Sequence, residues 1–252
     1  DMVLMDDNFA TIVNAVEEGR TIFDNIRKFI TYILTSNIPE ILPFIAFALL
    51  GSPLALTVVL ILCIDLGTDM LPAIALGSEK PEEDVMRQKP ISKKEPLLTR
   101  AMLFRAYVVM GLIQAAAGFF AFFTILMQGG WQWGQQLAAS DPLYLQGVTA
   151  FFAAVVICQV ANLFICRARR QPLYQLGMFS NKLIWLGIAA ELALLGMIIY
   201  LPQTHSFFGT QSLSFGELSL GLPFAVGMIL LDGMRKFLLR RDVKFVKKWL
   251  SW

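Results

Sequence analysis

Histidine is nearly absent from this chain: His205 is the only one in 252 residues, and one imidazole cannot build a multi-histidine metal centre. It falls in a polar, glycine-containing segment, where a surface or aromatic-packing role is expected. Cysteine is scarce as well. Cys63, Cys158 and Cys166 are scattered inside or beside apolar runs, which reads as small buried hydrophobes, not as a disulfide scaffold or a zinc site. There is no GxxxxGK[ST] loop, no dinucleotide fingerprint and no convincing hydrolase nucleophile motif. No secretory signal peptide is recognisable in the acidic opening DMVLMDDN.

Positive charge is missing from particular places. The stretches near 50–53, 128–147 and 202–217 contain no Lys or Arg. All 21 basic residues fall elsewhere: Arg20, Arg27 and Lys28, seven from Lys80 to Arg105, Arg167 to Arg170 with Lys182, and seven from Arg235 to Lys248. Between these zones the chain is apolar, with 56% hydrophobic residues and a mean hydropathy of +0.62. Blocks long enough to cross a bilayer are expected near 28–49, 54–76, 104–127, 148–166, 183–201 and 218–238. Six spans put every basic residue on one side, so both termini are expected in the cytoplasm. The net charge of +2 then reflects topology, and no nucleic-acid partner is expected.

The opening reads as an interior start. DMVLMD fits a short strand, Asp7 or Asn8 a helix cap, and FATIVNAVEEGRTIFDNIRKF an amphipathic helix running into the first span. A strand and helix without the rest of a soluble core make an unusual free domain, so a truncation or partial gene is expected.

Four acids interrupt the apolar blocks: Glu40, Asp65, Asp69 and Glu191. Each costs about 3 kcal/mol near a bilayer centre by insertion scales. Hydrocarbon gives no reason to keep them, whereas a cation does. In the first block, Ser36, Asn37 and Glu40 share a helix face. Pro39 and Pro43 cannot donate to the carbonyls of Thr35 and Pro39. In the second, VVLILCIDLGTDMLPAIAL places Asp65 and Asp69 four apart, hence one turn apart on one helical face. Thr68 lies beside them, Gly67 eases local unwinding, and Pro72 leaves the Thr68 carbonyl without its usual donor. Side-chain and carbonyl oxygens gathered this way suit a dehydrated hard cation. The competing account is helix packing with protonated acids.

Later polar positions carry less on their own. Gln159 and Asn162, three apart, either ligate or bridge helices. Gln114 reads as packing glue, and Tyr32 can coordinate, gate or pack. Asp232, close to Arg235 and Lys236, is expected in an interfacial ion pair. Trp131 and Trp133 are expected to pack or anchor at an interface. Small residues in GLIQAAAGFF suit close helix contact.

The segments DDNFATIVNAVEEGRTIFDN, YILTSNIPEILPF, ILCIDLGTDMLPAIAL, GLIQAAAGFFAFFTIL and NLFICRARR resemble the C-terminal part of P-type cation-transporting ATPases, particularly the sodium/potassium-pump group, over essentially the whole chain. The resemblance implies an all-α polytopic membrane protein, the fifth to tenth membrane helices of such a pump. It divides the chain into the end of the phosphorylation domain and stalk (1–27), the core ion-binding helix pair (28–76), a cytoplasmic loop (77–103), a four-helix bundle (104–240) and a basic tail (241–252). It implies cation sites at Ser36, Asn37, Glu40, Asp65, Thr68 and Asp69, and an additional site around Tyr32, Gln159, Asn162 and Glu191. Sodium and potassium would be the transported ions. ATP and magnesium would act only through domains outside this chain, so the chain alone is not expected to hydrolyse ATP, and Asp1, Asp6 and Asp7 are not expected to be phosphorylated.

Two positions refine the resemblance. Ser36 favours the sodium/potassium group, since the proton/potassium group typically has lysine there. Asn162 stands where that group usually has aspartate, which places the third sodium site in question, because an amide keeps an oxygen but loses the charge. The KKWLSW ending lacks the double tyrosine of animal pumps, so their C-terminal regulation is not carried over. Expected partners are the N-terminal portion of the pump and the lipid bilayer, at a plasma or cell membrane. The alternatives are a calcium or proton pump, a stand-alone six-span channel or secondary transporter, and a non-transporting membrane assembly component.

Overall fold

The computed structural model describes residues 9–82, 85–87, 96–169, 171, 175 and 177–250. The strand expected at DMVLMD and the caps at Asp7 or Asn8 lie outside them. Among the described residues every element is helical. Six helices are long and apolar enough to cross a membrane: Ala10–Leu50, Val58–Gly77, Arg100–Gln128, Pro142–Cys166, Lys182–Tyr200 and Phe215–Arg240.

Local chemistry sets where the spans start. Thr57 and Thr99 accept from the amides of Leu60 and Met102 at 3.4 and 3.2 Å. Asp141 accepts from Leu143 at 2.9 Å just ahead of Pro142, and Asn181 from Leu183 at 3.0 Å. Ser214 and Glu217 form a reciprocal capping box. Each cap satisfies an amide that the first helical turn leaves open. The fourth and sixth spans therefore begin at Pro142 and Phe215, ahead of the expected 148 and 218, because the caps and not hydropathy decide the start.

The first helix, Phe9–Leu50, runs 42 residues through both Pro39 and Pro43. It passes unbroken across residues 27 and 28, the expected boundary between stalk and span. Thr21, Thr31 and Thr35 return their hydroxyls to the carbonyls of Glu17, Arg27 and Thr31 at 2.7–2.8 Å. Gly51 follows with φ 63°, a left-handed turn that favours glycine.

The second span is compound. An α-helical Val58–Leu62 leads into a π-helical Cys63–Thr68 and then an α-helical Met70–Gly77. The Asp69 amide donates to the Ile64 carbonyl at 2.8 Å, five residues back. The loosening expected at Gly67 and Pro72 thus takes the form of one widened turn, not an open break. The third span holds a second π-helical stretch, Phe104–Gly111, which sequence pattern gives no sign of.

The fourth span is the hub. Its apolar window is 83% buried, against 50% or less in the other five. The Gly118 backbone lies against the Phe151 ring, where an added Cβ would meet ring carbons at 2.7 Å. Between the second and fifth spans, Gly187 lies over the Pro72 backbone and Gly67 under the Leu194 side chain. Such small-residue contacts are how membrane helices approach closely. Outward-facing Leu62, Leu186 and Leu230 are exposed, as expected of a surface whose solvent is lipid.

Buried ion pairs tie the basic ends of the helices together. Arg167 donates to Glu79 at 2.8 Å and to the Met178 carbonyl and Ser180 hydroxyl at 3.1 and 2.8 Å. Glu82 meets Lys28 at 3.8 Å and accepts from the Arg169 amide at 2.7 Å. Asp232 forms the expected ion pairs, but deep in the protein and with three partners: Arg235 at 2.7 Å, Lys236 at 2.8 Å and Arg105 at 3.4 Å. All three cysteines are free; Cys158 and Cys166 are buried and Cys63 is half-buried. His205 meets the Ile199 carbonyl at 2.9 Å through Nε2 and so packs against the end of the fifth span. Trp131 is buried, donates to the Gln135 carbonyl at 2.9 Å and packs edge-on against Trp133.

Candidate cation site

Asp69 is the centre of the polar interior. It follows the π turn and is 2% exposed. Its Oδ1 accepts from the Tyr32 hydroxyl at 3.2 Å and its Oδ2 from the Gln159 amide at 3.0 Å. The Ser36 hydroxyl donates to the Ile33 carbonyl at 2.8 Å and also stands within hydrogen-bond reach of the Asp69 carboxyl. Thr68 is buried beside it and returns its hydroxyl to the Ile64 carbonyl at 3.0 Å, leaving its oxygen lone pairs able to accept.

Two acids flank this centre. Glu191, from the fifth span, is 1% exposed and within electrostatic range of Asp69. The contact of Gly187 with Pro72 brings the fifth span that close. Glu40, from the first span, is buried and within range of both Asp69 and Asp65. Asn37 is half-buried on the same helix. A cavity of 640 Å³ opens beside Glu40, lined by Ile41, Phe44, Ile45, Ala48, Leu49 and Ile61.

Asp65 departs from the expected geometry. Asp69 is buried and Asp65 is exposed, so the two do not share one buried face. Among the described residues no three of His, Cys, Asp and Glu gather closely enough to hold a metal ion. The acids are spread from Glu191 through Asp69 to Glu40 and Asp65.

The oxygens left over are informative. Glu40 Oε1, Gln114 Oε1 and both carboxylate oxygens of Glu191 are buried with no hydrogen-bond partner among the described residues. A buried polar atom without a partner costs roughly 1–3 kcal/mol, and each such atom calls for an explanation. Acceptors only, flanking a carboxylate, fit a hard cation.

Gln159 and Asn162 lie where the first, second and fourth spans meet, fully buried. The Asn162 amide nitrogen donates to the Tyr32 carbonyl at 3.3 Å and to Gln159 Oε1 at 3.1 Å. Its oxygen faces the Cys166 thiol at 3.6 Å. Gln114, read from sequence as packing glue, donates to Gln159 Oε1 at 3.0 Å and belongs to this network. An amide in an apolar run looks the same whether it bridges helices generally or contacts a site, so no sequence signal separated the two.

Residues 53–238 match the family model for the C-terminus of cation transporting ATPases. The chain belongs to that family. It is 40% identical to the sodium/potassium-transporting ATPase subunit alpha of Tetronarce californica and 41% identical to subunit alpha-4 of Rattus norvegicus, in each case over 96% of the chain. It is also 40% identical, over 95% of the chain, to the potassium-transporting ATPase alpha chain 2 of Rattus norvegicus. In all three the match covers 26% of the relative. The chain therefore spans about a quarter of the length of these relatives, and its six apolar helices make it a multi-pass membrane protein.

Proposed function

We propose that this chain is the ion-binding membrane portion of an ATP-driven pump that exports sodium in exchange for potassium. The observation that carries the proposal is buried Asp69, flanked by Glu40 and Glu191 whose oxygens lack partners. In this reading Asp69 balances cation charge. Ser36, Asn37, Thr68 and the carbonyls near Pro39, Pro43 and Pro72 tune distance, while Glu40 meets ions at the side open to the 640 Å³ cavity and Asp65 adds a second charge within range of Glu40. Tyr32, Gln159, Asn162 and Glu191 form the other end.

ATP and magnesium would act in the N-terminal portion of the full-length protein. Phosphorylation there would move the long first helix and reorient the first two spans, alternating access to one set of oxygens. The apolar walls of the cavity beside Glu40 would pack against helices of that portion. The division at 1–27, 28–76, 77–103, 104–240 and 241–252 follows this assignment, with both termini cytoplasmic and the protein in the cell membrane.

The sodium/potassium-transporting and potassium-transporting relatives are equally similar, so overall identity does not choose the ion. Ser36, where the resemblance to the proton/potassium group would call for lysine, supports sodium. The test is ion-dependent phosphorylation of the full-length protein. Asp69→Asn should abolish high-affinity sodium dependence and Asp65→Asn should weaken it at least about tenfold, the worth of one charged contact. Unchanged sodium and potassium dependence in both would remove their roles. Wild-type ion transport in sealed vesicles without ATP would favour a channel or secondary transporter.

A further inference from the structure

Gln159 lies between two groups of partners, and their chemistry fixes which way its amide points. The Tyr32 backbone carbonyl can only accept, so the Asn162 atom facing it at 3.3 Å is the amide nitrogen. That same nitrogen faces Gln159 at 3.1 Å, so the Gln159 atom there is its oxygen. Gln114 meets that oxygen at 3.0 Å with its own nitrogen. Two donors therefore fill the two lone pairs of Gln159 Oε1. The remaining end, the NH₂ group, faces Asp69 Oδ2 at 3.0 Å. The direction set at a backbone carbonyl is thus carried through two side chains to a carboxylate.

Resting on the reading of Asp69 as a cation ligand, we propose that Gln114 is a positioning residue that, with Asn162, holds Gln159 as a hydrogen-bond donor to Asp69 and keeps its oxygen away from the cation. Gln159 is then not a ligand in this arrangement. It occupies one Asp69 oxygen with an N–H that an incoming cation meets as a competitor. Gln114 is 0% exposed, reaches Gln159 from the third span and has no partner for its own oxygen among the described residues. Its hydrogen bond to Gln159 is its link to the site. Asn162 alone leaves a lone pair of Gln159 Oε1 free; Gln114 completes the lock.

The test uses the full-length protein. Gln114→Met keeps the volume and removes the donor, so Gln159 can turn its oxygen toward the cation. The sodium concentration for half-maximal phosphorylation should fall about three- to tenfold, the worth of one hydrogen bond. Gln114→Leu, which also lacks the donor, should act in the same direction and serves if the methionine variant does not fold. In a Gln159→Leu background either change should have no further effect, since it acts through Gln159; a general packing defect would add instead. Unchanged or weakened sodium affinity in the Gln114 variants, or an effect of equal size in the Gln159→Leu background, overturns the proposal. Wild-type phosphorylation without sodium dependence would instead overturn the reading of Asp69 on which it rests.

Discussion

Asn162 closes with its own hydrogens two oxygens of the proposed cation site. Its nitrogen satisfies the Tyr32 carbonyl and Gln159 Oε1. Asn162→Asp would place acceptor against acceptor there, at a cost of roughly 1–3 kcal/mol for each unsatisfied group unless something positive intervenes. The variant should unfold at lower temperature in sodium-free detergent solution, and added sodium should restore the loss; a melting temperature indifferent to sodium would show that no ion enters. The sequence allowed Asn162 to be singled out, because an amide in place of an acid is visible without coordinates. Which oxygen that amide would satisfy was not visible, since the Tyr32 carbonyl is 130 residues away along the chain. The same limit hid Gln114. A side chain's partners belong to tertiary structure, whereas its cost in hydrocarbon can be read from its type.

At the scale of elements, hydropathy located all six spans, because each must satisfy its backbone within one apolar stretch of about 20 residues. The π turns at Cys63–Thr68 and Phe104–Gly111 left no periodic trace, and the exposure of Asp65 beside buried Asp69 was not legible either. Helix contact depends on single hydrogens. Gly187→Val would drive a Cβ to 3.1 Å from the Pro72 backbone, and overpacking of this kind costs about 1–3 kcal/mol. That variant should melt earlier and weaken cation dependence, because it parts Glu191 from Asp69; thermal unfolding with and without sodium measures both. The buried Arg167–Glu79 pair sets a second expectation. Arg167→Met strands Glu79 at a cost of about 3–5 kcal/mol, and adding Glu79→Leu should recover most of it in the same unfolding assay.

Across the whole molecule, the basic residues make one face of the bundle cationic and leave the other without Lys or Arg. Cysteines placed at Gln136 and at Lys244 should therefore react with an impermeant reagent from opposite sides of sealed vesicles; reaction from the same side would break the six-span arrangement. The 42-residue first helix rises about 63 Å at 1.5 Å per residue, roughly twice the thickness of the hydrocarbon core. One rod thus spans the bilayer and projects beyond it. Its missing backbone bonds fall at Pro39 and Pro43, on either side of Glu40. A push on the projecting end would be borne stiffly along most of the length and yield first at the carboxylate, so the fulcrum of this lever coincides with the place where charge is held.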